Sequence, residues 1–143
     1  MSERKYEKYV VSEMRGPQAD PERVASYAKI GKRILWIDED IIPGATQINF
    51  SWYLHPTLGI TTSHTHDYDE FIGFMGSDSE NPTDLGGEVE FWLEDEKYVI
   101  NKSTIFFAPQ GMNHCPLKLI RVDRPIFHFT AVNGGKYAIK PAK

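Results

Sequence analysis

Two short stretches constrain this chain more than any other part of it: His64-Thr65-His66-Asp67-Tyr68-Asp69-Glu70 and Pro109-Gln110-Gly111-Met112-Asn113-His114. Side chains alternate across a strand, so His64 and His66 leave the same face ~6–7 Å apart at Cα, near enough for both imidazoles to converge on one ion. Glu70 follows at an even spacing and adds a carboxylate. His114 adds a third imidazole just after a Pro-x-Gly turn that re-aims the chain. Three imidazoles and one carboxylate are a donor set for one divalent transition metal. Three of the five histidines fall in these two stretches, which scattered surface or packing histidines would not do. Any fold for this chain must bring the two segments to one point.

The rest of the sequence reads as short strands. Residues 8–13, 33–37, 46–55, 70–75, 88–93, 98–100, 104–108, 117–122 and 125–132 carry the β-branched and aromatic residues that suit a pleated, half-buried surface, and turn formers separate them. The run 76–87, dense in Gly, Ser, Asp, Asn and Pro, reads as a surface loop longer than a hairpin needs. Asp20-Pro21-Glu22-Arg23 has the form of an N-cap followed by proline at the first helical position, so a short helical turn is expected through Ala28, ending near Gly31. Short strands at regular spacing with almost no helical period predict an antiparallel barrel or jelly roll. In so small a barrel the N-terminal strand is expected to cover an open edge or a neighbouring subunit, because an unpaired edge invites association.

His64-x-His66-x-x-x-Glu70, with Gly59 before it and Gly76 after it, resembles the first signature of the cupin superfamily, and Pro109-x-Gly111-x-x-His114 resembles the second. The resemblance spans residues 45–132. It implies an all-β, cupin-type jelly-roll β-barrel as a single domain over 33–143, with residues 1–32 as a short N-terminal arm holding an edge or swapped strand. It also implies a homodimer. Two departures concern turn geometry: Ser103 stands where a glycine usually opens the second signature, and four residues rather than five separate Gly59 from His64. Cupins with a similar ligand set include dioxygenases, oxalate-degrading enzymes and sugar or keto-acid isomerases. The resemblance therefore implies a range of reactions, with oxygenase or decarboxylase chemistry preferred. A metal-containing binding or sensor module without turnover is the reading from the other class.

Composition narrows the partners. At 143 residues the chain is the size of one domain that can bury its own core. No apolar run is long enough to cross a bilayer, and no apolar segment follows the charged N-terminus, so no membrane association and a cytoplasmic location are expected. The lone Cys115 cannot close an intrachain disulfide, which fits a reducing compartment. With a net charge of −4 and no recurring Lys/Arg cluster, the chain lacks the footprint of a nucleic-acid binder. A small molecule is the expected partner. A divalent ion held by three neutral imidazoles and one carboxylate keeps a charge of about +1 and, if octahedral, two open positions, which favours anionic chelators such as carboxylates or enediols. Iron, manganese, nickel, copper and zinc all suit such a set.

Other residues carry narrower expectations. Cys115 neighbours His114 on a strand, so it should face the other way and pack. His128 lies between Phe127 and Phe129. If those phenylalanines pack outward, His128 enters the cavity, where it is a candidate acid, base or partner to a ligand. Lys118 has the parity of His114 and is either a cavity cation or a solvated side chain. His55, beside Pro56, should be exposed, and Arg121 and Arg124 around Asp123 read as a charged turn. Trp52, Tyr53, Trp92, Phe106 and Phe107 all fall on expected strands, and some of them should line a pocket.

Overall fold

The alternation in Ile48–Tyr53 is inverted with respect to polarity. Asn49, Ser51 and Tyr53 are buried, while Ile48, Phe50 and Trp52 on the opposite face are half-buried. Ile126–Val132 repeats the pattern, with His128 buried between the half-buried Phe127 and Phe129. On the outer face Phe127 stacks on Phe50 at 6.0 Å and meets Trp52 edge-on at 5.5 Å. A sheet that turns its polar residues inward lines a cavity rather than a dry core.

The structure, a computed structural model, describes residues 4–143. It is mostly β. The strands are β1 (Gly31–Ile37), β2 (Ile48–Tyr53), β3 (His64–Thr65), β4 (Glu70–Met75), β5 (Asp84–Leu93), β6 (Glu96–Lys102), β7 (Thr104–Ala108), β8 (His114–Val122), β9 (Ile126–Val132) and β10 (Lys140–Pro141). They form two antiparallel five-stranded sheets, ordered β1-β2-β9-β4-β7 and β10-β3-β8-β5-β6. This is the expected all-β jelly roll. The sheets face each other across a core of Phe74, Leu85, Val89, Phe91, Leu119 and Ile126, all fully buried. One short helix, α1 (Pro21–Tyr27), starts as its sequence predicts: Asp20 accepts the Glu22 backbone N–H at 2.9 Å and Pro21 opens the first turn. Among the described residues, no helix is long and apolar enough to cross a membrane.

Several boundaries differ from expectation. Residues 8–13 form no strand in this chain. A 3-10 turn spans Glu7–Tyr9 and the following residues pair with no sheet, because β propensity becomes a strand only where a partner supplies the ladder bonds. Residues 1–3 of the expected N-terminal arm lie outside the described residues. The loop after β4 ends earlier than the expected 76–87, at residue 83, because β5 takes in Asp84 to Gly87 through a register shift opposite β6. Gly76 permits this close approach, since a Cβ there would lie 1.8 Å from the Asp84 carbonyl oxygen. β8 starts at His114 rather than near Leu117, and the C-terminal β10 has no counterpart in the expected strands. Ser103, in the place of the usual glycine, ties the loop from both sides. Its hydroxyl accepts the Gly76 N–H at 2.8 Å and donates to the Pro82 carbonyl at 2.6 Å.

Candidate metal centre

Local pairing brings the two histidine-bearing stretches together. His64 on β3 sits directly opposite His114 on β8, with ring centroids 4.4 Å apart. His66 lies one residue beyond the end of β3, yet its ring is 4.8 Å from that of His64 and 4.9 Å from that of His114. The chain re-aims here through Gly111, whose φ of 83° suits glycine and whose N–H reaches the His66 carbonyl at 3.0 Å. Glu70 arrives from the other sheet as the first residue of β4.

The four side chains the sequence singles out are all buried and come together. One ligand atom from each of His64, His66 and His114 lies within 4.8 Å of the others. Glu70 Oε1 joins them at 3.4 Å from His66 Nε2 and 3.2 Å from His114 Nε2. The outer nitrogens decide what this cluster can do. His64 Nδ1 lies 2.7 Å from the Thr62 carbonyl, His66 Nδ1 2.6 Å from the Ala138 carbonyl and His114 Nδ1 3.0 Å from the Met112 carbonyl. A carbonyl only accepts, so each Nδ1 carries the proton, and in the neutral ring each Nε2 is left with a lone pair. These three Nε2 atoms and Glu70 Oε2 are buried without a hydrogen-bond partner. Converging lone pairs of this kind repel one another unless a cation or a proton lies between them, and the set therefore fits a divalent metal.

Electrostatics agree with a site built for positive charge. Burial pushes the Glu70 carboxyl up, but His114 and His66 close beside it outweigh this and hold it below the usual range. Burial opposes a charge on His66 too, yet Glu70 and the Ala138 carbonyl raise its pKa. His64 goes down, through burial first and then repulsion from His114 and His66.

The centre opens into a cavity of about 210 Å³ whose walls include Tyr53, Ile60, Leu117, His128 and Tyr137. Phe127 and Phe129 do pack outward and His128 does enter the cavity. Its Nδ1 donates to the Gly73 carbonyl at 2.9 Å, and its ring stacks on Tyr53 and Phe74 at 4.5 and 5.0 Å. Burial lowers its pKa to about 4, so it is neutral near pH 7. Cys115 is buried as expected, but not by facing away from His114. It has a φ of 76° and β5 shifts register against β8 between Phe91 and Leu93, so alternation breaks and Cys115 lines the same cavity as His114. Burial pushes its thiol up to about 12, which keeps it protonated. Lys118 is no cavity cation. Beyond that irregularity it turns to the surface and pairs with Glu90 at 3.5 Å. His55 is exposed, and Arg121 pairs with Asp123 at 2.8 Å in the expected charged turn.

Sequence reasoning missed the C-terminal strap. The pairing of β10 with β3 sets Lys140 opposite Thr65 and Pro141 opposite His64. The strap supplies the Ala138 carbonyl for His66 and places Tyr137 5.1 Å from the His66 ring. The Tyr68 hydroxyl holds Ala138 from both sides, accepting its N–H at 2.9 Å and donating to its carbonyl at 3.1 Å, while the phenol ring stacks on His66 at 4.7 Å. The only hint in the sequence is the polar-apolar run after Gly135. Deleting residues 137–143 leaves His66 Nδ1–H without its acceptor and frees the ring, so metal affinity should fall about ten- to hundredfold in a chelator competition. Unchanged affinity would show that the strap does not orient His66.

No protein-family model and no curated protein matches this sequence. Solved structures do match. A recombinant oxalate oxidase in complex with glycolate superposes with a TM-score of 0.54 at 14% identity, covering 94% of this chain and 63% of that one. An uncharacterized conserved protein with a double-stranded β-helix domain from Klebsiella pneumoniae gives a TM-score of 0.50 at 16% identity, covering 92% of this chain and 91% of its own. The DMSP lyase DddQ from Ruegeria pomeroyi gives a TM-score of 0.45 at 18% identity over 68% of this chain, which spans only 43% of the lyase. At identities this low the likeness speaks to the fold alone.

Proposed function

The chain has the cupin fold, a double-stranded β-helix, and from that premise we propose that it holds one divalent transition metal on His64, His66, Glu70 and His114 and acts there on a small organic acid, by oxygenase or decarboxylase chemistry. The observation that carries this reading is the set of three buried imidazoles whose Nδ1 atoms are pinned by carbonyls and whose Nε2 lone pairs have no partner. A metal bound in such a set supplies Lewis acidity or a place for O₂.

The chain's own residues do the rest. Thr62, Ala138 and Met112 hold the ligand rings in one tautomer through their carbonyls, and Glu70 offsets one unit of the ion's charge. Tyr137, Ile60 and Leu117 wall the cavity, while His128 keeps its proton on Nδ1 at the Gly73 carbonyl. Oxalate oxidase, a protein of the same fold, is seen with glycolate, a small hydroxy acid. A guest of that chemistry suits a cavity that offers a cation.

The test is metal reconstitution with iron, manganese, nickel, copper and zinc in turn, followed by elemental analysis and a screen for O₂ uptake or CO₂ release over small acids and phenols. One ion per chain and turnover with at least one acid are expected. A protein that takes up no ion would sink the reading. Metal affinity should also fall as pH drops below neutral, because His66, whose pKa is raised, must release its proton for the ion to enter. A pH-independent affinity between pH 8 and 5 would contradict imidazole coordination.

One observation favours the second reading, a metal-containing binding or sensor module. His128 is pulled down to about 4, Cys115 is pushed up to about 12 and burial raises the Tyr137 phenol, so each titrates far from neutral pH. Stoichiometric metal with no turnover on any acid would decide for binding.

A further inference from the structure

We infer that Arg33 anchors the far carboxylate of a two-ended acid whose other end meets the three-histidine centre; the inference rests on the metal reading above. Arg33 lies on β1 and lines the same cavity as His64, Glu70 and His114. It is half-buried, and every group that fixes it is uncharged. Its Cζ lies 4.5 Å from the Tyr27 ring centroid and 5.2 Å from that of Trp36. Trp36 is itself held, its indole N–H donating to Asp38 Oδ2 at 2.9 Å.

The polar support is equally directed. Arg33 Nη1 donates to Asn49 Oδ1 at 3.2 Å, and Asn49 Nδ2 donates to Thr130 Oγ1 at 2.6 Å, which turns the amide so that its oxygen faces the guanidinium. Asn49 is therefore a positioning residue. Asn49 and Thr130 also line the cavity. Arg121 and Arg124 each have an aspartate partner, at 2.8 and 2.7 Å, whereas among the described residues no carboxylate comes within ion-pair distance of Arg33.

A guanidinium has five N–H donors in a planar fork that matches a carboxylate in two parallel hydrogen bonds. One donor goes to Asn49 and the protein gives the fork no anion, so the cavity keeps a fixed cation at a second point. Arg33 lines the same cavity wall as Tyr53, His128 and Tyr137, which places its charge at that cavity. With the histidine cluster and Arg33 both on the wall of one cavity, the guest best matched is a small acid that chelates through one end and carries a carboxylate at the other.

The experiment compares pairs of acids that share the chelating 2-oxo acid head and differ only in the distal carboxylate. The pairs are 2-oxoglutarate against 2-oxovalerate and 2-oxoadipate against 2-oxocaproate, titrated calorimetrically into Zn²⁺-loaded full-length protein, with metal content measured on the same samples. The wild type should bind at least one diacid about ten- to hundredfold tighter than its partner. Arg33→Gln should bring that ratio close to one with metal content unchanged. Asn49→Asp, which gives the fork an internal carboxylate, should do the same while Arg33 is still present. Should the Gln variant not fold, Arg33→Lys keeps charge and stem but loses the fork, and the ratio should still drop several-fold. A wild type without preference, or a variant that keeps it, overturns the anchor. A wild type that takes no zinc but keeps an Arg33-dependent preference would remove the metal reading and leave the anchor standing; loss of both would remove both.

Discussion

His64→Ala and His114→Ala should each abolish stoichiometric metal. These two rings face each other across the β3–β8 pair at 4.4 Å, and each has its Nδ1 pinned by the carbonyl two residues earlier in the chain. Removing either takes away one of the three buried imidazole donors. The remaining imidazoles and carboxylate no longer surround the ion, and the affinity loss should exceed about a hundredfold, since changing even an outer partner of a ligand costs ten- to a hundredfold. Elemental analysis after dialysis against a weak chelator reads this directly. Full occupancy in both variants would take the two histidines out of the site. The thermal shift is a second readout: metal that binds only the folded state raises the melting temperature of the wild type and should leave both variants where they are.

Stability should fall in acid, and His128 sets the window. Its pKa is about 4 in the folded chain against an ordinary 6.5, because burial between Tyr53 and Phe74 disfavours the charged ring. Between those values the unfolded chain binds the proton and the folded chain does not, so unfolding free energy rises with pH across that interval. Its contribution is complete above pH 6.5, declines as pH falls and is gone below about 4. The full amount is about 3 kcal/mol at most. His128→Gln keeps a donor for the Gly73 carbonyl but does not titrate, and urea unfolding of that variant should show a flatter pH dependence than the wild type. His66, with a raised pKa, and Glu70, with a lowered one, titrate in both proteins and cancel in the comparison. Equal slopes would place the acid sensitivity elsewhere.

The outer face of the β1-β2-β9-β4-β7 sheet shows why periodicity alone can mislead. Phe50, Trp52, Phe127 and Phe129 are the largest apolar residues of β2 and β9, and a rule that sends such residues to the core would bury them and expose Asn49, Ser51 and His128. The barrel does the reverse. For His128 the sequence allows either face, and the observed one follows from the polar cavity that β2 and β9 line.

The candidate ligand set is legible in the sequence alone: His64, His66, Glu70 and His114 are close along the chain or sit in recognisable turns, and local spacing carries that information. The all-β class, the Asp20 cap of α1 and the exposure of His55 are legible in the same way. Other features depend on which strands become neighbours, and no local signal encodes that. The Ala138 carbonyl fixes His66 across 72 positions of sequence, and Thr130 fixes Asn49 across 81. Arg33 reads as an ordinary strand cation until β1 sets it beside Asn49, Tyr27 and Trp36. Cys115 shares a cavity with His114 only because a register shift breaks alternation. Residue types and short spacings determine what chemistry the chain can hold, because they act within a turn or a strand. Tertiary pairing decides where that chemistry faces and what holds it in place, because a hydrogen bond between remote segments forms only once the entropy of bringing them together has been overcome.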